Sequence, residues 1–175
     1  QPGDPAESIR ASHILIMVKD DAPDKDKKAA LAKINAILAE LKQNPNNVVV
    51  IDEAYVDFGG ETCLPLIETY DNLLVTRTFS KSRCLAGARL GYAFASAAII
   101  ADLEKIKYST NPYNINRLTL LLGAATVDAE EYYQEKCREI IETRNWTAKQ
   151  LERLGFFVLP SDTNFLFAKT GKMDG

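Results

Sequence analysis

Residues 48–51 read Val-Val-Val-Ile, and the run stops on Asp52. Four successive β-branched residues place apolar side chains on both sides of an extended segment. That predicts a strand covered on both faces, as in a parallel sheet. A second run, NLLVTRTFS at 72–80, has the same character, and ARLGYAFAS at 88–96 supplies a third. Between and after them the pattern turns helical. ETCLPLIETYD (61–71) suggests a short helix and AAIIADLEKIKYST (97–110) a longer one. NPYN (111–114) interrupts, and a long helical region, continuous or broken, runs from about 116 to 154, where Gly155 is placed to cap it. FFVLPSDTNFLFAK (156–169) holds two strand-like runs around a Pro-Ser-Asp turn. Strands alternating with helices predict an α/β fold with a mainly parallel sheet.

The stretch before residue 48 reads differently. After a Pro/Gly-rich lead-in, RASHILIMV (10–18) is a strand candidate. From 26 to 43 Leu31, Ile34, Leu38 and Leu41 share one helical face, and NPNN (44–47) stops the helix. We therefore expect three regions: a strand-helix segment at 1–47, a main domain at 48–145, and from 146 the end of a long helix leading into a smaller domain. A doubly buried strand starting straight after NPNN, without a crossover helix, suggests joined or incomplete pieces.

Bulk properties remove several function classes. A net charge of −3 argues against nucleic acid as the main partner. No apolar run approaches the ~18 residues of a membrane span, and the N-terminus carries no signal-peptide pattern. Cys63, Cys84 and Cys137 are odd in number and widely spaced, which favours a reducing compartment, the cytoplasm by default. With His13 the single histidine, no metal-ligand cluster is visible.

The chemistry-bearing residues gather at strand ends. Asp52 closes the first buried strand, where open α/β sheets place their ligands, and Tyr55 lies three residues on. Lys81 follows the second strand, with Thr78 and Ser80 as hydroxyl neighbours and Arg89 as a planar fork of donors suited to a phosphate. Each has a bland reading alone: an acidic loop, a Ser-Lys dipeptide, a surface ion pair. Jointly they match pyridoxal 5'-phosphate. Its aldehyde takes a lysine amine and its ring nitrogen a carboxylate. Its ring oxygen takes a donor, and its phosphate takes hydroxyls and a guanidinium.

VVVIDEAYVDFGG, YDNLLVTRTFSKSRCLAGARLGYAFA, IKYSTNPYNINRLT and LGFFVLPSDTNFLFA together resemble the histidinol-phosphate aminotransferases, a branch of the fold-type-I pyridoxal-phosphate enzymes. The resemblance runs over residues 48–175, nearly three quarters of the chain. It implies part of that fold's large domain and the beginning of its small domain. It also implies a homodimer and transamination between histidinol phosphate and 2-oxoglutarate, with glutamate as the amino donor in the other direction. By that resemblance Lys81 forms the Schiff base and shuttles the proton, and Asp52 pairs with the ring nitrogen. Tyr55 bonds the ring oxygen, while Thr78, Ser80 and Arg89 hold the phosphate. Tyr113 and Asn114 read either as a helix break or, by family position, as substrate-facing.

Two departures matter. In the family a crossover helix separates an Asn-Pro motif from the Asp strand, whereas Asn47 to Asp52 is a step of five residues and a βαβ unit needs about 10 to 12. The N-terminal glycine-rich phosphate loop, the aromatic that stacks on the ring and the substrate-carboxylate arginine are not found either. The chain by itself is accordingly expected to turn over little or no substrate. Residues 10–47, meanwhile, resemble the opening strand and helix of a parvulin-type peptidyl-prolyl isomerase. In that alternative, a folding-factor or peptide-binding module, His13 belongs to an active-site network. Its plain reading is a lone polar residue in a half-buried strand.

Overall fold

The computed structural model describes residues 47–170, together with Lys28, Ala32, Ala39, Lys42 and Gln43, five exposed positions in helical conformation. The strand expected at 10–18, and His13 within it, lie outside the described residues.

Three strands form the central sheet: β1 (Val49–Asp52), β2 (Leu73–Thr78) and β3 (Gly91–Ala95), in the order β1-β2-β3. β1 and β2 run parallel, with Asp52 beside Thr76, and β2 and β3 run antiparallel, with Thr78 beside Gly91. The parallel pair follows from a long connection, residues 53–72, that carries two 3-10 turns, Val56–Phe58 and Leu64–Glu68. The helix expected within 61–71 is thus only a 3-10 turn. Pro65 sits at its start, and such turns seldom extend beyond a few residues. β3 reverses direction after residues 79–90, which hold a single 3-10 turn, Ala86–Ala88, and no crossover helix.

β2 is the central strand, and Leu73, Leu74 and Val75 are buried accordingly. β1 behaves otherwise. Val48 and Val50 are 52% and 58% exposed, although the run of β-branched residues suggested cover on both faces. Among the described residues β1 pairs with β2 alone, so it is an edge strand with one face uncovered.

Three helices follow: α1 (Ala97–Thr110), α2 (Arg117–Asp128) and α3 (Glu130–Arg153). Asn116 caps α2, its side-chain oxygen accepting the Thr119 N–H at 2.9 Å. The helical stretch expected from 116 to 154 is therefore two helices, parted at Ala129, and the boundary expected at 145/146 lies within α3. Gly155 ends α3 in the left-handed region at φ +88°. Its N–H reaches Glu152 O and the Phe156 N–H reaches Leu151 O, both at 3.0 Å, the double closure of a Schellman motif. β4 (Phe157–Val158) and β5 (Ala168–Lys169) then pair antiparallel. Among the described residues no helix is long and apolar enough to cross a membrane.

Candidate active site

The C-terminal ends of β1 and β2 point the same way because the strands are parallel, so the residues that follow them share one rim. Asp52 ends β1, and its Oδ1 accepts the Ala54 N–H at 2.9 Å, a local turn that fixes the carboxylate. Thr78 ends β2. Its hydroxyl accepts the Ser80 N–H at 3.1 Å and donates to Leu90 O at 3.4 Å, so it fastens the turn carrying Ser80 and Lys81 to the start of β3. The Phe79 N–H reaches Leu90 O at 3.1 Å, and the Leu85 N–H reaches Phe79 O at 2.9 Å, closing residues 79–90 into a tight loop.

Within that loop Cys84 and Arg89 both adopt positive φ, at 55° and 53°. The left-handed region is costly for a residue with a Cβ, so both are held by their surroundings. Arg89 donates from Nη1 to Ala86 O at 3.0 Å.

Asp52, Thr78, Ser80, Lys81 and Arg89 line one cleft of about 470 Å³, with Gly91 also at its wall. Tyr55 is not among the lining residues, but Lys81 Nζ stands 4.9 Å from the centre of its ring. All six residues singled out from the sequence therefore meet, five around the cleft and the sixth through Lys81. Tyr113 is 90% exposed and Asn114 is exposed too.

Several contributors were not read from the sequence. Glu53, next to Asp52 but only 6% exposed, accepts Arg77 Nε at 3.0 Å and Nη2 at 2.8 Å. It also accepts the Thr62 hydroxyl at 2.9 Å and the Cys63 N–H. Arg77 borders the cleft as well, and this pairing neutralises its charge from behind. Burial acts to lower the Arg77 pKa, yet the hydrogen bonds and charge of Glu53 carry it above the ordinary arginine value. Burial, with Glu53 alongside, pushes the Cys63 thiol up.

The turn after Lys81 is anchored too. Ser82 donates to Asp57, Arg83 pairs with Glu130 of α3 at 2.5 Å, and its guanidinium lies 5.3 Å from the centre of the Tyr133 ring. A signal for the Glu53 pair existed in the sequence, an acid one residue after a strand-ending acid. Its partner, 24 positions away, had none.

The family model described as aminotransferase class I and II matches residues 27–174. Histidinol-phosphate aminotransferase 2 of Dechloromonas aromatica is 48% identical over 144 residues, 82% of this chain and 40% of that protein. Histidinol-phosphate aminotransferase 1 of Pseudomonas fluorescens strain Pf-5 is 41% identical over 169 residues, 97% of this chain and 47% of its own length. Among solved structures, the histidinol-phosphate aminotransferase of Sinorhizobium meliloti in complex with pyridoxal-5'-phosphate superposes with a TM-score of 0.64 at 30% identity. That match covers 73% of this chain and 35% of the other. The Clostridium acetobutylicum enzyme of the same name gives 0.65 at 26% identity, over 78% and 42%. The chain spans less than half the length of these curated relatives. The family match starts at residue 27, inside the stretch that resembled a parvulin, and the Pseudomonas relative aligns with nearly the whole chain. These matches attach that stretch, from residue 27 onward, to the same family as the rest and replace the isomerase alternative.

Proposed function

The chain belongs to the class I and II aminotransferases, and on that premise we propose that its cleft at Lys81 holds pyridoxal 5'-phosphate for transamination. The substrates proposed are histidinol phosphate and 2-oxoglutarate, with glutamate formed in return; the relatives' names support that choice. The observation that carries the reading is the set of groups around one cleft. The Asp52 carboxylate, the Lys81 amine, the Thr78 and Ser80 hydroxyls and the Arg89 guanidinium are among the groups lining about 470 Å³, within the roughly 300–1,000 Å³ usual for small-molecule sites. The donor set fits the group: one acid for a ring nitrogen, one amine for an aldehyde, and a cation with hydroxyls for a phosphate.

When bound, the cofactor supplies an aldehyde for amine exchange and an electron-accepting ring. The chain's own residues do the rest. Asp52 holds a proton at the ring nitrogen by its negative charge. Lys81 would be the amine that holds the cofactor's aldehyde and, when free, the base placed to move the substrate's proton. The Tyr55 hydroxyl donates to the ring oxygen. Thr78, Ser80 and Arg89 would hold the phosphate, the hydroxyls and the guanidinium as donors. A homodimer in the reducing cytoplasm is the setting proposed for the intact protein, in keeping with three free cysteines.

The test is spectroscopic. The chain mixed with pyridoxal 5'-phosphate is expected to develop a visible absorbance band. Borohydride should then leave a pyridoxyl label on the peptide containing Lys81, and Lys81→Ala should abolish both. A label spread over surface lysines, with Lys81 unmodified, would overturn the assignment.

A further inference from the structure

Arg144 is the residue whose position exceeds its visible purpose. It lies in α3, its side chain is only 8% exposed, and its one carboxylate neighbour among the described residues is 3.9 Å away on Asp162, which is 73% exposed. A buried cation so loosely paired contributes little net stability. What it does supply is geometry. Nη1 donates to Phe58 O and to Thr163 O, both at 2.8 Å. Phe58 is fully buried, ends the 3-10 turn after Tyr55, and donates its N–H to Tyr55 O at 3.0 Å. Phe165, two residues beyond Thr163, meets the Tyr55 ring edge-on at 5.6 Å. One guanidinium thus closes a loop of contacts: Tyr55, Phe58, Arg144, Thr163, Phe165 and back to Tyr55. Gly59 makes room for the turn at φ +115°, where an added Cβ would stand 3.7 Å from Arg144 Nη2.

We infer that Arg144 is a positioning residue: by tying the loop after Tyr55 to the segment carrying Phe165, it sets the Tyr55 ring against Lys81. With the cofactor bound, that placement would offer the Tyr55 phenol to its ring oxygen, and the inference rests on the cofactor reading above. A lysine could not replace it. A single ammonium on a flexible stem lacks the planar fork and is more costly to bury. The charged groups facing the cleft are Asp52 from β1, Arg77 from β2, and Lys81 and Arg89 from the 79–90 loop. The ring neighbours of Tyr55, Phe58 and Phe165, do not titrate.

The experiment follows the visible band of the lysine-bound cofactor against pH in the 175-residue chain. A hydroxyl donating to the ring oxygen favours the state that has lost its nitrogen proton, since that oxygen is then the more negative. Tyr55→Phe should therefore raise the midpoint, by about one pH unit for a hydrogen bond to a charged oxygen. Arg144→Lys should raise it by at least half as much, and the double variant should match Tyr55→Phe alone. If Arg144→Lys does not fold by circular dichroism, Phe165→Leu takes its place with the same expectation. An unchanged midpoint in the folded variant, or a shift fully additive with Tyr55→Phe, overturns the inference. A missing band in the unsubstituted chain overturns the cofactor reading itself, and the inference with it.

Discussion

Removing the Glu53 carboxylate gives the sharpest test of how the sheet end is held. The side chain of Glu53 is 4% exposed and that of Arg77 19%, with a 2.8 Å ion pair between them. Glu53→Ala leaves a mostly buried guanidinium without its carboxylate, and the Thr62 hydroxyl and Cys63 N–H without their acceptor. Breaking a buried pair from one side costs about 3 to 5 kcal/mol. Arg77 keeps some access to water, so the lower end, about 3 kcal/mol, is expected. At about 2–4 °C per kcal/mol for a chain of this size, the melting temperature should fall by roughly 6–12 °C. Removing both charges is a different perturbation: Glu53→Met with Arg77→Met should lose only about 1–2 kcal/mol, because no buried charge is stranded and what remains is the lost acceptor of the Thr62 hydroxyl and the Cys63 N–H. Urea unfolding followed by circular dichroism measures both. A loss below about 1 kcal/mol for Glu53→Ala, or a double variant as unstable as the single one, would refute the idea that charge pairing fastens β1 to β2 at this point.

Two glycines should respond in the opposite order to their nominal crowding. A Cβ on Gly91 would stand 3.0 Å from the Arg77 backbone oxygen, which cannot yield without opening the β2–β3 pair, so Gly91→Ala should cost about 1–2 kcal/mol and weaken cofactor binding. A Cβ on Gly123 would come within 2.5 Å of Leu90 Cδ2, but that methyl can swing away and alanine gains about 1 kcal/mol in a helix, so Gly123→Ala should be near neutral in the same unfolding assay. With iodoacetamide near neutral pH and peptide mass spectrometry, exposed Cys84 should be alkylated first. Cys137 and Cys63 should lag, because burial both shields their thiols and pushes them up.

Local pattern placed most of the cleft. Asp52 and Lys81 follow apolar runs, and a run long enough for a strand fixes where its C-terminal end falls. Thr78 and Ser80 are neighbours in sequence, so their meeting with Lys81 needed no tertiary information. Gly155 as a helix stop was equally local. The missed features are those decided by distant chain. The direction of β3 depends on a loop that folds back through Phe79 and Leu90 instead of forming a crossover helix, and the uncovered face of β1 depends on what does not pack against it among the described residues. Arg144 reaches Phe58 across 86 positions. A periodicity argument sees an arginine on a polar helix and has no means of aiming it at a carbonyl on another element.

The left-handed backbone at Arg89 has a consequence for anyone improving this chain. A glycine would sit there without strain, yet it would leave the cleft only the Arg77 guanidinium, which Glu53 already neutralises. If Arg89 holds the cofactor's phosphate as proposed, folding and ligand capture pull in opposite directions at that position. On that reading, a library sorted by heat resistance alone would drift toward sequences that melt later and hold the phosphate less well.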